Sequence, residues 1–331
     1  MADSDAGLAD DNWKRFYTPE EVDEICRNAE TTQFVSGATP IHVRTFFHDR
    51  TRPTIVMAHP MLPYGIMLAR LQLPFFRDGF NVIQWDLPGW GQSGGARSGC
   101  PVSSFLIAWH DALTFTQRLT DGPIFTMGLA EDSVTCYYIS ANNPRVRAAS
   151  LHTLHEYGDT DGVRWQGPGW LVRLKALGVG AGTLLRPNLA IDAHQALPWT
   201  TIFSHPDDGP LLQAFEDDPL RARRFEFTLA GSMMESIRPP VSFEDCLTPM
   251  QIIASEKSRL WPFEMNQRYF ERLGGPKEFV PLIGKDQWEY TLAFHEAYAA
   301  HVIRWFRQHG AFESQISAAP HETREGVSHA Q

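Results

Sequence analysis

Two hydrophobic rhythms alternate along this chain. Thr31 to Gly37 and Pro40 to His48 flank a Gly-Ala-Thr turn and predict two strands. Pro53 to His59 is an apolar run suited to a buried central strand. Residues 65–78 have helical spacing, and Val82 to Asp86 predicts a second buried strand. Over 103–120, Phe105, Ala108, Trp109, Ala112, Phe115 and Leu119 share one face of an amphipathic helix. Ile124 to Met127 predicts a strand, 131–142 its helix, and Arg147 to Thr153 a further strand. From 157 to about 237 the pattern changes to helices and Pro/Gly-rich loops. Alternation resumes with Met250 to Ala254, 262–273, Phe279 to Ile283 and a long helix from about 289 to 308. This order predicts an α/β fold, a mostly parallel sheet with helices on both faces. Segments 31–156 and 238–309 read as the core and 157–237 as an inserted helical cap or lid. Residues 1–30 read as an N-terminal extension, and 310–331, polar and without period, as a flexible tail.

Composition narrows the function. A chain of 331 residues with 43% hydrophobic content can bury a large core without staples. A net charge of −10 argues against nucleic acid or an anionic membrane surface as partner. No apolar stretch is long enough to span a membrane, and residues 1–12 hold four Asp and no Lys or Arg, unlike a secretory leader. Cys26, Cys100, Cys136 and Cys246 show no C-x-x-C spacing and read as reduced thiols. A cytoplasmic protein acting on a small molecule is expected, with no cofactor, no metal, and a homodimer left open. Ten Trp and 21 Phe fill a core and leave enough to line an apolar pocket. Trp165, Trp170, Trp199, Phe203 and Phe215 would supply that lining from the cap.

Several motifs sit at the ends of the predicted strands. The run from Ile124 to Ser133 carries an apolar strand through Gly128 straight into a helix, with Ala130 on the turn. Asp86-x-x-Gly89-x-Gly91-x-Ser93 follows one buried strand, and His59-Pro60-Met61 another. Asn143-Pro144-Arg145-Val146-Arg147 and Asp218-Pro219-Leu220 come later. In this order, over about residues 30–308, the motifs resemble the α/β-hydrolase superfamily, closest to its lidded lipase-like and aminopeptidase-like members. The resemblance implies a nucleophile elbow, a triad in the order nucleophile, acid, His, and oxyanion donors from the backbone N–H groups of Met61 and Glu131. At the three catalytic places stand Ala130, Ser258 and Lys285. A methyl group cannot attack a carbonyl. Three replacements in three separate motifs point to a natural loss, because a triad works as a unit.

Other groups remain for proton chemistry. Glu131 and Asp132 open the helix after the elbow, where its dipole favours acids. His152-Thr153-Leu154-His155-Glu156 ends the next strand, and ligands of open α/β sheets bind at such carboxyl ends. His155 or Glu156 could serve there as acid or base. The His-x-x-His spacing lacks a full metal-ligand signature. Lys285, beside Asp286, is a candidate base or anion anchor, or the partner of Asp132 or Glu131 in an ion pair. Trp288 is a candidate pocket wall, and Cys136 a core residue. The leading expectation is an enzyme without covalent catalysis, of lyase, decarboxylase, isomerase or cyclase type, acting on a small to medium apolar metabolite. The alternatives are a non-catalytic binding or scaffold protein, and a hydrolase with a repositioned nucleophile or a directly activated water.

Overall fold

The most buried runs of the sequence become the middle of one sheet. The computed structural model describes residues 11–156, 169–186, 189–193, 203, 205–234 and 239–312. Its strands in chain order are β1 (Ala29–Ser36), β2 (Thr39–Phe46), β3 (Thr54–Met57), β4 (Asn81–Trp85), β5 (Ile124–Leu129), β6 (Ala149–His152), β7 (Ala190–Asp192), β8 (Arg224–Glu226), β9 (Met250–Ser255) and β10 (Lys277–Leu282). Eight of them form a sheet in the order β1-β2-β4-β3-β5-β6-β9-β10. β1 and β2 run antiparallel, and every pair from β4 to β10 is parallel. Every residue of β3, β4, β5, β6 and β9 is buried, as a strand covered on both faces requires. The edge strand β1 is polar and largely exposed, which blunts edge-to-edge pairing.

The helices are α1 (Pro19–Asn28), α2 (Ala69–Arg77), α3 (Val102–Leu119), α4 (Asp132–Ser140), α5 (Gly169–Leu185), α6 (Gly209–Asp217), α7 (Phe227–Met234), α8 (Phe263–Arg272) and α9 (Leu292–Gln308). Strand register assigns them to faces. Phe125 of β5 lies level with Val82 of β4, through Ile55 of β3. Trp85, three residues beyond Val82, therefore points to the opposite face from Phe125. Trp85 meets Trp109 of α3 edge to face, with centroids 5.1 Å apart. Phe125 meets Phe306 of α9 at 4.6 Å. Thr126, turned the other way, shares a hydrogen bond with Ser140 of α4 at 2.7 Å. So α3 and α4 cover one face and α9, with α2 beside it, the other.

The sequence reading assigns no element to residues 1–30. The structure folds Pro19–Asn28 into α1, begun by a capping box in which Thr18 and Glu21 bond each other's backbone N–H groups. Glu21 then meets Arg70 of α2 through two hydrogen bonds of 2.7 and 2.6 Å. The same guanidinium donates to the carbonyls of Phe16, at 3.0 Å, and Tyr290, at 2.6 Å. Further along, Asn12 and Tyr64 both donate to the buried carboxylate of Asp218, at 2.8 and 2.9 Å. Residues 65–78 form a 3-10 turn (Gly65–Leu68) before α2, rather than one continuous helix.

Between β6 and β9 lie α5, α6, α7 and the β7–β8 antiparallel pair. Trp165, Trp170 and Trp199, expected to line a pocket, fall outside the residues or side chains described. Phe203 and Phe215 are buried together with ring centroids 5.4 Å apart. No helix among the described residues is long and apolar enough to cross a membrane.

The Arg70 side chain is only 12% exposed, and its charge is partnered by Glu21, itself buried. Removing one partner of a buried ion pair typically costs about 3–5 kcal/mol. Arg70→Met is expected to lower stability by about that amount in urea unfolding. A change below about 1 kcal/mol, the range of exposed pairs, would mean that this pair does not hold α1 to the core.

Candidate functional site

The turn between β5 and α4 is set by a residue with no side chain. A Cβ on Gly128 would lie 2.6 Å from Cys136 Cβ and 2.7 Å from Ser133 Cα, so only glycine lets α4 begin this close to the strand. The chain then reverses through Ala130, held at φ +49°, in the left-handed region that L-residues seldom adopt. Ala130 N–H donates to the carbonyl of His152 at 2.9 Å, and Ser133 Oγ donates to the same oxygen at 2.9 Å. Thr153, next in β6's chain, is also left-handed at φ +61°. Two strained positions thus face each other across the carboxyl ends of β5 and β6, and such strain collects at functional sites.

Ala130 lines a cavity of about 40 Å³. Glu131, His152 and Gln287 bring a carboxyl, an imidazole and an amide to its wall, while Leu, Pro and the rings of Trp261, Trp288 and Tyr290 supply most of the rest. The space suffices for about three waters.

Glu131 is buried, and its carboxylate stands 3.5 Å from the backbone N of Met61. Burial pushes its pKa up, against the pull of its own N–H and that of Met61. The two N–H groups that the resemblance assigns to an oxyanion therefore face the side chain of Glu131. His152 Nε2 lies 3.1 Å from the carbonyl of Gln287. A carbonyl only accepts, so Nε2 carries the proton and Nδ1 keeps its lone pair. Burial depresses the His152 pKa to about 4, the bond to Gln287 working the other way, so the ring is neutral at pH 7. Its ring is perpendicular to that of Trp288, with centroids 5.2 Å apart.

The expected candidates separate. Lys285 does not line the cavity; its ammonium pairs with Glu289 at 2.9 Å on a side chain 42% exposed. Asp286 pairs with Arg259 at 2.8 Å. The residue that reaches Ala130's cavity from this loop is Gln287, two positions later, and its Oε1 accepts a 2.5 Å hydrogen bond from Ser258 Oγ. Ser258 thus stands behind the wall rather than in it. Asp132 turns into the protein: Oδ1 accepts from Trp109 Nε1 at 2.8 Å and Thr135 Oγ1 at 2.7 Å, while Oδ2 is buried with no hydrogen-bond partner among the described residues. Burial raises its pKa to about 7. His155 stacks on Trp261 at 3.8 Å, off the cavity, and burial lowers its pKa to about 3. Glu156 is buried and accepts from Tyr138 OH. Among the described residues no group of three or more His, Cys, Asp or Glu is placed to hold a metal. His59 is structural: Nδ1 donates to the Pro60 carbonyl at 2.7 Å and Nε2 accepts from Leu87 N–H at 3.0 Å.

Of the expected pocket residues, Glu131 and Trp288 line the cavity and Met61 does not, while His152 and Gln287 line it without having been named as candidates. The available signal for His152 was its register: it pairs with Leu129, level with the elbow.

Two measurements bear on this geometry. Gly128→Ala must displace backbone as well as a side chain, and is expected to cost at least about 2 kcal/mol or to prevent folding. A near-neutral result in thermal melting would mean that α4 is not seated as described. Asp132 titrates near 7 when folded and near its ordinary 3.8 when unfolded. The folded state holds the proton longer, so wild-type stability falls as pH rises from about 4 through 7. Asp132→Asn cannot ionise. Its stability relative to wild type should therefore climb by a few kcal/mol between pH 4 and pH 8. Parallel pH profiles for the two proteins would show that Asp132 is ionised in the fold.

No family model matches this chain, and no curated protein is similar to it in sequence. Solved structures are similar in shape. The structure of DcsB in complex with its substrate analogue has a TM-score of 0.62 at 14% identity, over 85% of this chain and 99% of that one. The α/β hydrolase GrgF from Penicillium sp. sh18 gives 0.61 at 19%, over 86% and 99%. A soluble variant of monoglyceride lipase from Saccharomyces cerevisiae, in complex with a substrate analogue, gives 0.65 at 11%, over 85% and 96%. At such identities the likeness speaks for architecture alone. The sheet order, the elbow turn and these neighbours agree: the chain has the α/β-hydrolase fold.

Proposed function

We propose that this chain is an enzyme that works without a Ser-His-Asp triad and moves protons on a small apolar molecule, in the manner of a lyase, decarboxylase, isomerase or cyclase. One observation carries the reading: the carboxyl of Glu131 is buried in the cavity beside Ala130, with its pKa raised by burial. A carboxylic acid in an apolar site can keep its proton near neutral pH and deliver it to a bound molecule. The N–H of Met61 and Glu131's own N–H are then in place to stabilise the carboxylate left behind. His152, neutral and on the same cavity wall, is the group paired with it in this reading. In this reading Glu131 and His152 take the roles first expected of Asp132, His155, Glu156 and Lys285.

In this reading the described residues between 169 and 234 belong to the cap over this cavity. Phe203 supports that assignment, because it stacks on the wall residue Tyr290 with centroids 4.8 Å apart. A repositioned nucleophile is disfavoured. Ser133 Oγ is committed to the His152 carbonyl, and burial raises the Cys136 thiol far from thiolate formation. A second reading, a non-catalytic binding protein, draws on the small cavity and on a carboxyl that already occupies the oxyanion donors.

The test is deuterium transfer. Cell-extract metabolites are incubated in heavy water with wild type or Glu131→Gln and compared by mass spectrometry. Wild type should label a metabolite or its product, and Glu131→Gln should reduce labelling at least about 100-fold, the usual weight of a general acid–base. Equal labelling by both proteins removes Glu131 from the chemistry; no labelling by wild type favours the binding protein. Fluorophosphonate probes should leave the wild type unmodified, and a stoichiometric adduct would reinstate a nucleophilic hydrolase.

A further inference from the structure

One face of α5 is apolar and open. Leu174, Leu177, Gly178, Ala181, Leu184 and Leu185 recur at helical spacing and fall on a single stripe. All six are exposed, the four leucines by between 58% and 86%. The helix cannot hide them by rolling over, because its other side is pinned. A Cβ on Gly182 would lie 2.2 Å from the Phe227 ring, and one on Gly231 2.6 Å from Thr183 Oγ1. Thr183 Oγ1 also donates to the Phe227 carbonyl at 2.9 Å. These contacts seat α5 on α7 through glycines, whereas a Cβ on Gly178, in the stripe, would meet no described atom within 4 Å. Scattered exposed leucines are ordinary, but four on one stripe mark a surface that meets something.

The charge of the segment narrows what that is. From Gly162 to Ile191 the sequence has Arg164, Arg173, Lys175 and Arg186 and no Asp or Glu. The chain as a whole carries −10, so the average conceals a cationic stretch. Positions 173 and 175 lie about 100° to either side of Leu174 around the helix, and 186 follows its last residue. Leucines bordered by cations match an anionic lipid surface, where apolar side chains enter the acyl boundary and cations stay among the head groups. The stripe is about 17 Å long, too short to cross a bilayer, so the helix would lie in the plane of the surface. A second copy of the chain is a poorer match. A two-fold pairing that sets Leu174 against Leu185 of the other copy also sets Arg173 against Arg186, like charge against like.

We infer that α5 docks this chain on anionic lipid bilayers, lying in the surface with Leu174, Leu177, Leu184 and Leu185 among the acyl chains. The docking is reversible, because the helix enters only the boundary of the bilayer and spans nothing. It is independent of the reaction proposed above and holds equally for a non-catalytic protein.

Vesicle flotation tests this with the full chain. Wild type, Leu177→Asp/Leu184→Asp and Leu247→Asp are each mixed with vesicles of phosphatidylcholine and phosphatidylserine, or of phosphatidylcholine alone. Leu247 is 71% exposed but lies outside the stripe, and so controls for the loss of any surface leucine. All the substituted side chains are exposed, and thermal melting checks that each variant folds. Wild type should float with the phosphatidylserine vesicles. Leu177→Asp/Leu184→Asp should bind at least about 100-fold less, roughly tenfold for each leucine withdrawn from the bilayer. Leu247→Asp should bind as wild type does. Phosphatidylcholine alone, or salt near 1 M, should weaken wild-type binding at least about tenfold. Failure of the wild type to float with either vesicle overturns the inference, as does equal flotation of the stripe variant. Equal binding to the two lipids overturns the selection for an anionic surface. A wild type that does not float but self-associates in sedimentation, and is monomeric as Leu177→Asp/Leu184→Asp, assigns the stripe to a second copy instead.

Discussion

The approach of α4 to β5 at Gly128 governs the whole candidate site. Because no Cβ intervenes, the helix starts at once after the strand, and one residue must absorb the reversal. That residue is Ala130, and its left-handed backbone costs roughly 1–2 kcal/mol, offset by the packing it permits. From this turn the rest follows. Ala130 N–H reaches the His152 carbonyl, which locks the ends of β5 and β6 together. Glu131, the next residue, is aimed toward Met61. Asp132, one further, is driven inward against Trp109 instead of outward to the cavity. Neighbours one residue apart in the first turn of a helix face different directions, so Glu131 and Asp132 have opposite fates for a purely geometric reason.

Much of the architecture was legible because it depends on burial. Apolar runs such as Thr54–Met57 and Met250–Ser255 have only one stable place, the middle of a covered parallel sheet. Turn glycines were legible for a related reason: Gly128 and Gly89 sit where a side chain would strike neighbouring atoms. The α1 helix was harder to read. It is short, and it is tied down partly by Glu21 and Arg70, whose sequence separation of 49 residues leaves no local trace.

The loops that border the cavity could be named from the sequence, but which of their side chains reach it could not, again for physical reasons. The loop after β10 must place one side chain opposite Ala130, and a motif match selects Lys285 because it follows Gly284. Gly284 is left-handed at φ +73°, the loop turns there, and Lys285 swings out to Glu289 while Gln287 comes in. A shift of two residues in a loop has no signature in hydrophobic pattern. Similarly, His155 looked better placed than His152 only if β6 ran on in a straight line. Thr153, left-handed, breaks that line; His152 stays on the face that carries Leu129, and His155 is carried behind Trp261. Local backbone strain in a β-branched residue was the deciding quantity, and composition does not encode it.

The guanidinium of Arg70 has a consequence for how the chain is made. It gathers Phe16, Glu21 and the carbonyl of Tyr290, a contact 220 residues away in sequence. Asn12 likewise waits for Asp218, 206 residues on, and Asp78 for Arg307, 229 residues on. On a ribosome adding about 5–20 residues each second, these partners emerge at least about ten seconds apart. Throughout that interval α1 and α2 are available to each other but lack the carbonyl that completes the knot. Closure of the fold is thus a late event in synthesis, triggered by the arrival of the loop that also carries Gln287 and Trp288.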